Sequence, residues 1–187
     1  MAVTEIVLVR HGATEWSAQG RHTSRTDVAL TARGMAEAEA LRDRLSTWRF
    51  ALVLTSPARR AGDTARLCGL GDSAVVDPDL RELDYGDDEG RTTEEIEQER
   101  PGWSVWAGSP NGESLDAAGT RMDRVLARIA EVDGPVVLFG HGHSLRILIA
   151  RWLRLSATEG RCFALDTATL SVLGLEHDLP VVRRLNA

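Results

Sequence analysis

The chain has 187 residues, of which 43% are hydrophobic and 27% charged, with a formal net charge of −6. That length and balance suit one globular domain with a sizeable core. An acidic chain without a basic bulk excludes the usual nucleic-acid binder, and no apolar run nears membrane-spanning length, so neither nucleic acid nor membrane is expected as a partner. Strand-like sequence begins at Val3 with no signal-like segment before it, so the expected compartment is the cytoplasm. Cys68 and Cys162 are far apart, each with apolar neighbours, and read as buried free thiols.

Taken in chain order, Ile6 to Val9 (IVLV) is a short apolar run of the kind found in strands buried on both faces of a parallel sheet. Thr31 is the expected N-cap of a helix running to about Trp48, with Ala38, Leu41, Leu45 and Trp48 on one face. Phe50 to Leu54 is a second strand. Ser56 then reads as an N-cap, with Pro57 at the first helical position of SPARRAGDTARL. Val75–Val76 belongs to a shorter strand. Residues 83–112 are rich in Gly, Asp and Glu, carry Trp103 and Trp106, and read as an irregular excursion or lid over the site. Within it Thr92 and Glu95 are spaced for a capping box. Ser114 starts a long helix with Ala118, Met122, Val125, Leu126 and Ile129 inward. Val136 to Phe139 is another buried strand, and Ser144 starts a helix with Leu145, Leu148, Ile149, Trp152 and Leu153 as its apolar positions. Beyond Arg161 the pattern turns β-like at CFAL, LSVLGLE and PVVRRL. This alternation predicts a single α/β domain over 1–187. The expected architecture is a three-layer sandwich with a mainly parallel central sheet and at least one antiparallel edge strand. Such an edge leaves a homodimer open.

Ligands of parallel α/β sheets bind outside the carboxyl ends of the strands. The first strand ends in Arg10-His11-Gly12. The second ends in Ser56-Pro57, with Arg59 one turn on. The third ends in Gly140-His141-Gly142-His143-Ser144. If these strands are neighbours, arginines and histidines meet at one rim among helix N-termini, a setting that favours a phosphoryl dianion. A neutral imidazole there can act as nucleophile. The leaving oxygen then needs a proton, and LRELDYGDDEG offers Glu82 foremost, with Asp84, Asp87, Asp88 and Glu89 nearby.

The motifs RHGATEW, GRHTSRTDVALTARG, SPARRAGDTA, RELDYGDDEG, NGES and GHGHSLR occur in this order over nearly the whole chain. In this the sequence resembles the histidine phosphatase superfamily, in the branch that includes the cofactor-dependent phosphoglycerate mutases, and within it the small actinobacterial acid phosphatases. The resemblance implies that His11 becomes phosphohistidine, that Arg10, Arg59 and His141 bind the phosphoryl group, and that Glu82 is the proton donor. It implies that Ser17 and Thr23 line the substrate pocket, which Ser24 and His143 border. It also implies no metal and no cofactor. Ser17 stands where many members have Asn, His143 where the mutases have Asn, and Asp88 where an aromatic is frequent. These departures bear on substrate choice.

The expected function is therefore hydrolysis of small phosphorylated metabolites. A bisphosphoglycerate-dependent mutase is the alternative, although the short stretch between Glu82 and His141 and the early end of the chain favour hydrolysis. A non-catalytic phospho-ligand binder would be marked by loss of the nucleophile or an arginine, and both are present. His141-x-His143 has zinc-ligand spacing, but arginines beside a cation would repel it. Trp103 and Trp106 suit closure over a substrate and anchoring of the excursion equally. His22 suits either the pocket or the surface, and His177 the surface. Arg60 is expected on the surface, because adjacent residues on a helix point apart.

Overall fold

The computed structural model describes residues 5–187, so the strand start expected at Val3 lies outside the described residues. Six strands form one sheet in the order β3-β2-β4-β1-β5-β6. They are β1 (Glu5–Arg10), β2 (Leu52–Thr55), β3 (Ala74–Val76), β4 (Val136–Gly140), β5 (Leu170–Glu176) and β6 (Leu179–Arg184). β1, β2, β3 and β4 run parallel, while β5 and β6 are antiparallel and close one edge. Seven helices accompany them among the described residues: α1 (Glu15–Ala18), α2 (Ala32–Ala40), α3 (Arg42–Leu45), α4 (Arg59–Leu67), α5 (Thr93–Glu99), α6 (Leu115–Ala130) and α7 (Gly142–Trp152). No described helix is long and apolar enough to cross a membrane.

The period of two along a strand sorts the core into two layers. Ile6 and Leu8 of β1 join Val136 and Leu138 of β4 on one face, under α6, α7 and the 83–112 segment. Val7, Val9, Val137 and Phe139 face the other way, against α2, α3 and α4. The α/β sandwich with an antiparallel edge is thus the observed fold. Register aligns the business ends: Arg10 pairs with Gly140 and Thr55 with Phe139.

Several boundaries differ from the sequence expectation. The helix expected from Thr31 to about Trp48 tightens at Leu41, whose N–H bonds Ala38 three residues back, and resumes as α3. Ser56 does not N-cap α4. The helix starts at Arg59 behind Ala58, and the Ser56 hydroxyl accepts from the Ala58 N–H and meets His141 instead. α7 starts two residues before Ser144, with His141 at its N-cap. CFAL is not a strand: it follows a 3-10 turn over Ala157–Cys162, and Cys162 is exposed, unlike the buried thiol expected there. Cys68 is buried, and burial pushes its thiol pKa up to about 12. Thr31, Thr92 and Ser114 cap as expected, Thr92 and Glu95 in a reciprocal box.

Candidate active site

β1 delivers His11 to the sheet rim, and two contacts seat the turn that follows. The Gly12 N–H donates to Thr64 Oγ1 at 3.1 Å. A Cβ on Gly12 would lie 2.3 Å from the Gly34 carbonyl oxygen, and one on Gly34 would lie 2.1 Å from that of Ala13. Glycine is therefore demanded here by the close approach of α2.

His11 is 6% exposed and bonds through Nδ1 to its own loop, 2.8 Å from the Gly12 carbonyl. A carbonyl only accepts, so Nδ1 carries the hydrogen and Nε2 keeps its lone pair. Among the described residues Nε2 has no hydrogen-bond partner. Burial, then the charges of His141, Arg10 and Arg60, hold the His11 pKa well below the usual value of 6.5, against the Gly12 carbonyl. The ring is neutral and nucleophilic in form.

Around it lie buried donors. His141 is fully buried behind His11, with ring centroids 5.2 Å apart, and its Nε2 is 2.7 Å from Ser56 Oγ. Burial lowers its pKa to about 3, and the Arg60 and Arg10 charges add to this against Glu82. Arg10 is pinned by the Leu165 carbonyl. Arg60 is completely buried and donates to the carbonyls of Thr23, Ser24 and Thr26. Among the described residues Arg10 Nε, Arg60 Nε and His141 Nδ1 have no hydrogen-bond partner. Buried donors at such density suit a multivalent oxygen anion.

The arginine at this rim is therefore Arg60. Arg59, expected to bind phosphate, is 66% exposed and pairs with Asp63 on the outside of α4. The two arginines differ in helix phase. Arg60, Ala61, Thr64 and Ala65 form the buried face of α4, and that period with the Arg59–Asp63 spacing could have found Arg60.

A cavity of about 200 Å³ opens in front of His11. It is lined by Arg10, His11, Ser17, Thr23, Glu82 and His143 of the expected set, and also by Arg21, His22, Tyr85 and Arg146. Ser17 and Thr14 satisfy each other in the box that starts α1, so Ser17 reaches the cavity as part of a rigid turn. Thr23 bonds the Arg21 carbonyl. Ser24 lies elsewhere, held by Glu89 and lining a neighbouring hollow of about 520 Å³ that shares Glu82. A larger hollow of about 560 Å³, beside residues 106–116, contains none of the expected site residues.

Among the acidic candidates only Glu82 meets the His11 cavity. Asp84 pairs with Arg25, Asp87 accepts from Asn111, Asp88 is buried against Arg100, and Glu89 ties residues 24–26. Glu82 is 7% exposed. Burial pushes its pKa up, but His143, His141 and backbone N–H groups outweigh it and hold the carboxyl at about 2.

The wall beside Glu82 is aromatic. The Tyr85 hydroxyl meets His143 Nδ1 at 2.7 Å, the Trp106 ring lies 5.4 Å from that of His143, and Arg146 lies over the Trp106 ring. His22 is buried against Tyr85 and Trp103, and within the excursion the Trp103 indole N–H donates to the Gly108 carbonyl. His141 and His143 turn to different partners, and among the described residues no group of three or more His, Cys, Asp or Glu is placed to hold a metal ion. His177 is exposed in the β5–β6 turn.

Fold and site together define an α/β protein with buried donors gathered round a neutral histidine at the strand ends. The chain belongs to the histidine phosphatase superfamily (branch 1), whose pattern it matches over residues 6–187. It is 42% identical over 177 residues to an acid phosphatase of Mycobacterium tuberculosis, covering 92% of this chain and 87% of that one. It is 32% identical to a probable phosphoglycerate mutase of Enterobacter, over 89% and 83% of the two chains. The solved structure of an M. tuberculosis open reading frame product superposes with a TM-score of 0.91 at 38% identity, covering 98% and 97%.

Proposed function

We propose that the protein is a metal-independent phosphomonoesterase acting on small phosphorylated metabolites through a phosphohistidine at His11. The observation that carries this reading is the tautomer of His11: Nδ1 is committed to the Gly12 carbonyl, which leaves Nε2 its lone pair on a residue that lines a cavity with Arg10, while the charges of His141 and Arg60 also act on the ring. Nε2 attacks phosphorus, the P–O ester bond breaks, and the leaving oxygen takes up a proton under the control of Glu82. Water then attacks the phosphoryl group and the P–N bond breaks, returning neutral His11 and releasing phosphate. Arg10, Arg60 and His141 stabilise charge on the transferring oxygens. The acid phosphatase of M. tuberculosis supports this reading by similarity.

Hydrolysis of p-nitrophenyl phosphate tests it. Turnover is expected to survive a chelator and to fall to background in His11→Ala. Absence of hydrolysis of any phosphomonoester would contradict it. The mutase-named relative keeps one alternative in view. Conversion of 3-phosphoglycerate only when 2,3-bisphosphoglycerate is added would favour that reading over hydrolysis.

A further inference from the structure

Held at about 3 by burial above all, the His141 ring is neutral at ordinary pH and carries a single ring hydrogen. The nitrogen with that hydrogen is a donor, and the other keeps a lone pair. An N–H turned to a phosphoryl oxygen binds it, whereas a lone pair repels it. Nε2 lies 2.7 Å from Ser56 Oγ. Nδ1 is buried with no hydrogen-bond partner among the described residues. It is therefore the nitrogen left for a ligand, and where the hydrogen sits decides what that ligand meets.

Ser56 decides it. The residue is 1% exposed, so its hydroxyl must find its partners inside the protein. The oxygen accepts from the Ala58 N–H at 3.2 Å. Among the described residues its other bond is the one to His141 Nε2. With the ring hydrogen on Nε2, both neighbours would donate to the serine oxygen. The serine hydrogen would then be buried without an acceptor, and Nδ1 would be a buried lone pair without a donor. With the ring hydrogen on Nδ1, Ser56 donates to Nε2 while accepting from Ala58, and only the Nδ1–H is left unpaired.

We propose that Ser56 is a positioning residue that fixes the hydrogen of His141 on Nδ1, so that a neutral ring presents a donor to the phosphoryl group. This deepens the phosphatase reading and rests on it. The two histidines, 5.2 Å apart between ring centroids, then carry their hydrogens on the same nitrogen and play opposite parts. At His11 a carbonyl accepts from Nδ1–H and leaves Nε2 as a lone pair. At His141 a hydroxyl donates to Nε2 and leaves Nδ1–H as a donor. A neutral donor also adds no full charge to those of Arg10 and Arg60, which already oppose protonation of this ring. The serine oxygen can equally accept from Nε2–H of an imidazolium, so Nδ1 donates in either charge state. Through Ala58 the same hydroxyl is tied to the N-cap of α4, the helix that carries Arg60.

The test reads the ring nitrogens directly. In protein carrying isotope-labelled histidine at neutral pH, long-range proton–nitrogen spectra should show His141 with its hydrogen on Nδ1 and a lone pair on Nε2. The signal is assigned by its loss in His141→Gln. Inorganic phosphate should move the Nδ1–H resonance downfield. Ser56→Ala should transfer the hydrogen to Nε2 and lower kcat/KM on p-nitrophenyl phosphate by ~10²-fold, the cost of one lost oxyanion donor. Ser56→Thr keeps the hydroxyl, and should keep the Nδ1–H form and most of the turnover. Ser56→Ala combined with His141→Gln should be no worse than His141→Gln alone, because the serine acts through the ring. A hydrogen on Nε2 in the wild type, a Ser56→Ala that keeps the Nδ1–H form, or one that loses it at no cost to turnover would each overturn the proposal. The wild-type spectrum decides the point even where Ser56→Ala does not fold. A wild type with Nδ1–H and a response to phosphate, but no hydrolysis, would instead sink the phosphatase reading and leave the placement of the hydrogen standing.

Discussion

At the scale of single residues, Arg59 and Arg60 show how much one position on a helix decides. Both follow the same strand, and α4 turns one to solvent beside Asp63 and the other into the site. Arg60→Ala is expected to lower kcat/KM by about 10²–10³, the usual cost of one lost oxyanion donor, whereas Arg59→Ala should stay within about twofold. Steady-state kinetics on p-nitrophenyl phosphate decides between them, and the reverse ranking would restore Arg59. The buried titratable groups make a second prediction, on acid stability. His141 and His143 titrate at about 3 and about 4 when folded, against 6.5 in the ordinary imidazole. As pH falls below 6.5 the unfolded chain binds protons that the folded one refuses, so stability is lost from there down to about 4 for His143 and about 3 for His141. Glu82, depressed from 4.5 to about 2, adds stability that is present above 4.5 and lost below it, in the same direction. Melting temperature should therefore rise between pH 4 and 6.5 and level off above. A flat or falling profile would mean that these histidines are charged in the folded protein. His11, Glu82 and His141 could be read from the motifs. Arg60 could not while its helix phase was misread, and the Tyr85–His143 pair could not because it depends on a contact between segments 58 positions apart.

At the scale of elements, the site depends on how closely helices approach it. α2 packs so near the His11 loop that neither Gly12 nor Gly34 leaves room for a Cβ. Gly34→Ala should cost about 1–3 kcal/mol in denaturant unfolding, the range for overpacking a filled site, and should slow turnover by displacing His11. A variant of unchanged stability would show that this approach is loose. On the opposite face α6 holds the strap leading into Glu82. Arg121, 1% exposed, donates to the carbonyls of Asp79 and Arg81 and is paired with Glu113. Glu113→Ala leaves that guanidinium buried without its carboxylate and should destabilise by about 3–5 kcal/mol. Loss below about 1 kcal/mol would mean the carbonyls alone suffice. The capping residues Thr31, Thr92 and Ser114 were legible because a cap is a local pattern. The early start of α7 was not, since the backbone N–H groups of His143 and Ser144 are satisfied by Glu82 from a distant segment.

At the scale of the whole molecule, a chain of net charge −6 gathers Arg10, Arg60 and three histidines at the ends of β1 and β4 and the start of α4. That local reversal of sign is what the proposed phosphorylated substrate requires of an acidic protein. The alternation of strands and helices made the layered fold legible, because buried parallel strands are short apolar runs. The shape of the 83–112 segment was not legible, because it is fixed by single internal contacts such as the Trp103–Gly108 bond and the Asp88–Arg100 pair rather than by a periodic face. Passage of phosphate through His11 is tested most directly by a rapid alkaline quench during turnover of p-nitrophenyl phosphate, followed by peptide mass spectrometry. An acid-labile phosphoryl group is expected on the peptide containing His11 and absent in His11→Asn. Steady turnover with no phosphopeptide, or with the phosphoryl group on any other residue, would contradict it.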